Sequence, residues 1–104
     1  MAYEVLATTD ADYDYANIVD YLMNVLGNEQ AVSHFMNEYD EAVERLSDIA
    51  GSLGPCQDEE LADLGYHRLN FKEMNYFFLY RISGDKAIID GIFHGSQDYE
   101  NILK

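Results

Sequence analysis

The junction Gly27-Asn28 constrains this chain more than any other pair of residues. On its N-terminal side, from Asp10 to Leu26, the apolar residues Ala11, Tyr15, Ile18, Val19, Leu22, Val25 and Leu26 recur at helical spacing. On its C-terminal side Ala31, Phe35, Tyr39, Ala42, Leu46 and Ile49 form a second stripe. Glycine is a usual residue just past a helix end and asparagine a favoured N-cap, so one helix stops and the next starts almost at once. A linker this short folds the two helices back antiparallel, each hiding its stripe against the other or against a shared layer. Thr8 or Thr9 can cap the first helix, and Asp10, Asp12 and Asp14 crowd its first turns, where the macrodipole favours anions. Glu41 and Arg45 make a favourably oriented i,i+4 pair on the outer side of the second, which ends at Gly51, Gly54 and Pro55.

What the hairpin packs on is written in the rest of the chain. Residues 2–7 alternate enough to suggest a short strand, and 55–65 read as an acidic, turn-prone connection. Three strands are expected at Tyr66–Phe71, Asn75–Ile82 and Lys86–His94, with Lys72-Glu73-Met74 and Ser83-Gly84-Asp85 as the turns between them. Connections this short make an antiparallel meander. The order β-α-α-β-β-β implies one α+β domain over residues 1–104: an antiparallel helical hairpin on one face of a small, mostly antiparallel sheet, the other face partly open. A last helical turn is expected at 98–103. In the central strand Tyr76, Phe78, Tyr80 and Ile82 share one face, suited to the helices, and Phe77, Leu79 and Arg81 share the other.

Charge narrows the function. The 104 residues carry six Lys and Arg against 20 Asp and Glu, a formal net charge of -14. Residues 1–50 hold eleven acids and one base, whereas 51–104 hold nine acids and five bases, four of them (Arg68, Lys72, Arg81, Lys86) between 68 and 86. Phosphate backbones and anionic membranes repel most of such a surface, although a local basic patch still acts over a Debye length of about 8 Å. A single cysteine, Cys56, excludes an internal disulfide and reads as a half-buried loop residue. The first residues lack the basic and apolar regions of a signal peptide, so a cytoplasmic location and no membrane contact are expected.

Few residues suggest chemistry. Arg81, inside an apolar strand, either pairs with one of the many carboxylates or grips a phosphate through two parallel hydrogen bonds. His94, at the end of the next strand, is either a half-buried structural histidine or a proton donor and acceptor. His34 and His67 share no metal-ligand spacing with it, so no metal and no cofactor are expected. Asp10, Asp12 and Asp14 resemble the start of a calcium loop, but Tyr15 and Tyr21 stand where that loop needs Gly and Glu.

The order of elements, with Gly65-Tyr66-His67-Arg68-Leu69, Asn75-Tyr76-Phe77-Phe78-Leu79-Tyr80-Arg81 and His94-Gly95-Ser96-Gln97-Asp98-Tyr99, resembles the RelE/ParE superfamily of bacterial type II toxins. Ile18-Val19-Asp20-Tyr21-Leu22 and Glu41-Ala42-Val43-Glu44-Arg45-Leu46 fall where that superfamily has its helical hairpin. The resemblance implies a toxin of the plasmid-stabilisation type, held inactive by a cognate antitoxin. It leaves the mechanism open between a ParE-like poison of DNA gyrase, a RelE-like ribosome-dependent mRNA endoribonuclease and a repurposed, non-toxic interaction module. For a nuclease, the matched positions make Arg68 and Arg81 the phosphate-neutralising pair and His94 the general acid, with Lys72 a further phosphate contact. Ser96, Gln97 and Gly91 stand where many relatives carry cations, which weakens RNA binding and favours the ParE-like reading.

Overall fold

The computed structural model describes residues 2–96. Strand β1 (Glu4–Ala7) leads to Thr8, whose extended backbone and side chain cap helix α1 (Thr9–Asp20) by accepting the Ala11 N–H at 3.2 Å. The helix continues without a break into a single π-helical turn, Tyr21–Val25, and Gly27 closes it at φ +61°, a conformation that favours glycine. Asn28 then caps α2 (Glu29–Ile49), its Oδ1 accepting from Ala31 N at 3.0 Å. The two-residue junction and both caps are as the sequence reads.

A turn of 3-10 helix at Ala50–Ser52 ends α2, and the acidic connection contains an element that the sequence reading missed. Helix α3 (Glu59–Asp63) is capped by Asp58, which accepts the Leu61 N–H at 3.1 Å, and it buries Leu61 completely. Strands β2 (Tyr66–Asn70), β3 (Tyr76–Ser83) and β4 (Lys86–His94) form the expected antiparallel meander. The sheet order is β1-β4-β3-β2, with β1 parallel to β4 and Glu4 opposite Lys86. The helical turn expected at 98–103 lies outside the described residues.

The hairpin covers the inner face of the sheet. Phe35, Ala42 and Leu46 of α2, with Ala11 and Leu22, meet Phe78, Tyr80, Ala87, Ile89 and Ile92. Aromatic edges fill the layer: Tyr39 stands on Phe78 at 5.4 Å between ring centroids, and Phe71 on Phe78 at 5.2 Å. Tyr80, fully buried, donates its hydroxyl to the Ala50 carbonyl at 2.8 Å, and burial pushes its pKa up to about 12.

The outer face is less open than expected. Phe77 and Leu79 are as buried as their inner neighbours, under a flap of residues 53–64 whose Cys56 and Leu61 join Phe93 in a second, smaller cluster. Backbone bonds fasten the flap to β2, with Cys56 N donating to Tyr66 O at 3.0 Å, and His67 holds it from within. One His67 ring nitrogen lies 3.1 Å from both the Leu53 and the Gly54 carbonyls, and the ring stacks against Tyr80.

Candidate functional site

A β-bulge decides where the expected site residues point. Leu79 of β3 faces Gly91, but the next residue, Tyr80, faces Ile89, so Asp90 is an extra residue on β4. Without it Ala87 and Ile89, which point inward, would share their face with Gly91 and Phe93, and His94 would emerge on the same outer face as Arg81. With it, Ile92 and His94 turn toward the helices, where His94 sits opposite Tyr76 in an edge-to-face contact at 5.3 Å.

Two observations explain the bulge. Asp14, projecting from α1, accepts the Ile92 N–H at 3.0 Å, and a side chain at Gly91 would run into the Phe93 ring. Gly91 is thus a packing requirement. Burial raises the Asp14 pKa, with the Ile92 hydrogen bond opposing and the nearby Asp10 adding to the shift.

Arg68 and Arg81 do share the outer face, since Arg68 pairs with Leu79 and Tyr66 with Arg81. Each is engaged there. The Arg68 guanidinium carbon lies 3.7 Å from the centre of the Phe77 ring while its Nε donates to Asn70 Oδ1 at 2.8 Å. Arg68 and Asn70 line, with residues 54–57 of the flap, a small polar recess of about 280 Å³. Arg81 Nε donates to the bulged Asp90 at 2.7 Å, which raises the arginine's pKa further. Tyr66 joins that pair, its own pKa raised by burial and then by Asp90. Of the two readings of Arg81, the carboxylate pairing is the one the structure displays. Lys72 stands apart, in the turn after β2, 3.4 Å from Glu41, which also pairs with Arg45 as the sequence predicts.

His94 therefore belongs to a different surface. It borders a groove of about 600 Å³ with Ile18, Tyr21, Leu22, Leu26 and Tyr76. Its Nδ1 accepts the Ser96 backbone N–H at 3.2 Å, which puts the ring proton on Nε2, and Ser96 Oγ lies 2.7 Å away. Beside this groove Tyr21, Met23, Val25 and Leu26 are all exposed at the tip of the hairpin. The π-helical turn brings this about by burying Leu22 while its neighbours face outward, and nothing in the residue pattern distinguishes it from ordinary helix.

Another group was invisible to spacing arguments. Glu38 on α2 is the one buried charged side chain among the described residues. Its carboxylate accepts the Glu73 N–H at 3.1 Å and the Met74 N–H at 2.8 Å, fixing the β2–β3 turn to the helix. His34, one turn earlier, has its Nε2 3.9 Å from Glu38 and 3.4 Å from Glu73. Asp10 and Asp12, by contrast, lie in the first turn of α1. No helix among the described residues is long and apolar enough to cross a membrane.

A helical hairpin on one face of a four-stranded sheet whose first strand runs parallel to its last defines a RelE/ParE-like toxin fold, and solved structures share it. The toxin–antitoxin system described as the chromosomal ParDE system from P. aeruginosa contains a chain that superposes with a TM-score of 0.72 at 20% identity, covering 89% of this chain and 96% of that one. The RelBE2 toxin–antitoxin complex from Mycobacterium tuberculosis gives a TM-score of 0.50, also at 20% identity, over 90% of this chain and 99% of that one. No curated protein matches in sequence. Residues 5–99 match the family described as the ParE toxin of the type II toxin-antitoxin system, parDE, and the chain belongs to that family.

Proposed function

We propose that this ParE-family toxin acts by holding a protein target, in the manner of a gyrase poison, and that a cognate antitoxin neutralises it. The observation that carries the choice is the bulge at Asp90. It turns His94 to the face opposite Arg68 and Arg81, so that a histidine acid and a two-arginine phosphate clamp do not meet across one scissile bond. The recess beside Arg68 is small, and Arg81 is tied to Asp90. The RelE-like reading retains one support, the common face of the two arginines.

The antitoxin contact follows from charge. Asp10, Asp12, Asp20, Asp40, Glu44 and Asp48 are exposed along the hairpin, which ends in an apolar tip. A segment that covers this surface has apolar anchors flanked by Lys and Arg, because complementary potentials speed encounter and fix register. Purified toxin added to a translation extract is expected to leave mRNA intact, and added to gyrase with DNA it is expected to trap cleaved DNA. Cut mRNA that disappears in His94→Ala or Arg81→Ala overturns the proposal in favour of the nuclease. Harmless expression without a partner, with neither effect, overturns it in favour of an interaction module.

A further inference from the structure

The group formed by His34, Glu38 and Glu73 gathers more negative than positive charge. Two carboxylates face one imidazole, with one ligand atom of each lying within 4.8 Å of the others. One carboxylate, Glu38, is buried, and backbone N–H groups offset the cost of burying it without neutralising its charge. Among the described residues neither glutamate is in ion-pair distance of a lysine or arginine, and the nearest base in sequence, Lys72, is turned to Glu41. We propose that His34, Glu38 and Glu73 bind a divalent transition-metal ion of the zinc class, clamping α2 to the β2–β3 turn.

The geometry suits a tetrahedral ion. Zinc–nitrogen and zinc–oxygen bonds of about 2.0–2.2 Å set ligand atoms roughly 3.3–3.5 Å apart. The His34–Glu73 separation of 3.4 Å already meets this, and the His34–Glu38 separation of 3.9 Å needs only a small rotation of an exposed imidazole. Glu38 is also positioned as metal-binding carboxylates are, by hydrogen bonds from outside the ligand set. Its Oε1 takes the Met74 N–H, while Oε2 shares the Glu73 N–H and lies 3.9 Å from His34 Nε2. Three protein ligands leave a fourth position for water, and two carboxylates with a neutral imidazole balance a +2 ion. The imidazole selects against calcium and magnesium, which prefer all-oxygen shells with more ligands. The strongly negative chain raises the local concentration of any cation. Histidine spacing could not reveal this site, because one ligand comes from a different element.

The test uses tag-free full-length protein, since a histidine tag would bind the same ions. Titration calorimetry with Zn²⁺ is expected to show saturable one-to-one binding, and Zn²⁺ to raise the Tm. His34→Ala and Glu73→Gln, both at exposed side chains that the fold does not need, are each expected to weaken binding by at least about tenfold, the scale seen even for outer-shell partners of metal ligands. In the double variant the Tm gain should vanish while the metal-free Tm stays near that of the parent. Co²⁺ is expected to give visible bands without sulfur charge-transfer absorption, and these should persist in Cys56→Ser. Weak, non-saturating uptake, or one-to-one binding unchanged in the double variant, overturns the proposal. So does loss of binding in Cys56→Ser.

Discussion

The two faces of the sheet are equally buried at their centres, yet they are built by different means. Inside, two long helices lay an aromatic layer over Phe78 and Tyr80. Outside, Phe77 and Leu79 are covered by a flap whose only regular element is the five-residue α3, together with the guanidinium of Arg68. The inner layer rests on area and interlocking rings, where loss of one side chain leaves a cavity that long helices cannot close. The outer cover rests on one leucine, one cysteine, backbone bonds along β2 and the guanidinium of an arginine, all of which can shift. Equal burial therefore does not mean equal contribution to stability, and side chains with chemistry can be carried on the thin side at low cost to the fold.

The sharpest check on this contrast is Phe78→Ala. Removing an inner aromatic is expected to cost about 3–5 kcal/mol in denaturant unfolding, enough to abolish most of the stability of a domain this size. Leu61→Ala, which strips the outer cover of its anchor, should cost about 2 kcal/mol, the low end for a buried leucine, because the flap can settle into the space. If the two losses are equal, the outer cluster is a core in its own right and the contrast fails. Gly91→Ala is expected to cost about 1–2 kcal/mol by forcing the Phe93 ring aside. A neutral result there would mean the bulge adapts freely.

Tyr80→Phe reports on the inner layer through pH. Because burial raises the folded-state pKa of Tyr80 to about 12 from an ordinary value near 10, its contribution is complete below pH 10 and is lost as pH rises toward 12. The phenylalanine variant should lose about 1 kcal/mol at neutral pH with its hydrogen bond to Ala50. Its stability should then fall less steeply in alkali than the parent's, and parallel declines would refute the assignment. The smallest effect is expected of Arg81→Ala, at most about 1 kcal/mol, since its pair with Asp90 is a half-exposed surface ion pair.

Much of this molecule is legible in its sequence because most of it obeys one period at a time. The caps at Thr8 and Asn28, the antiparallel hairpin, the three strands and the Glu41–Arg45 pair each follow from local rules, and the face of Arg81 follows from strict alternation within β3. The misses occur where a period changes. Asp90 adds one residue to β4 and so reverses the side of everything after it, including His94. A signal was present, since a glycine inside a strand, Gly91, often accompanies a bulge. Asp58 with Leu61 three residues later likewise had the form of a helix start, in a stretch whose acidity suggested only a loop. The π-helical turn and the partnership of Glu38 with Glu73 had no local signature, because both are settled by what another element presses against.

The pairing of β1 with β4 gives the sheet its closing strand only when nearly all of these residues have been made, for Glu4 waits on Lys86. Until then the first strand has no partner and the hairpin has little to lie on. Closure of the sheet is thereby held until β4 has been made, so a chain that stops short of it leaves β1 without its partner.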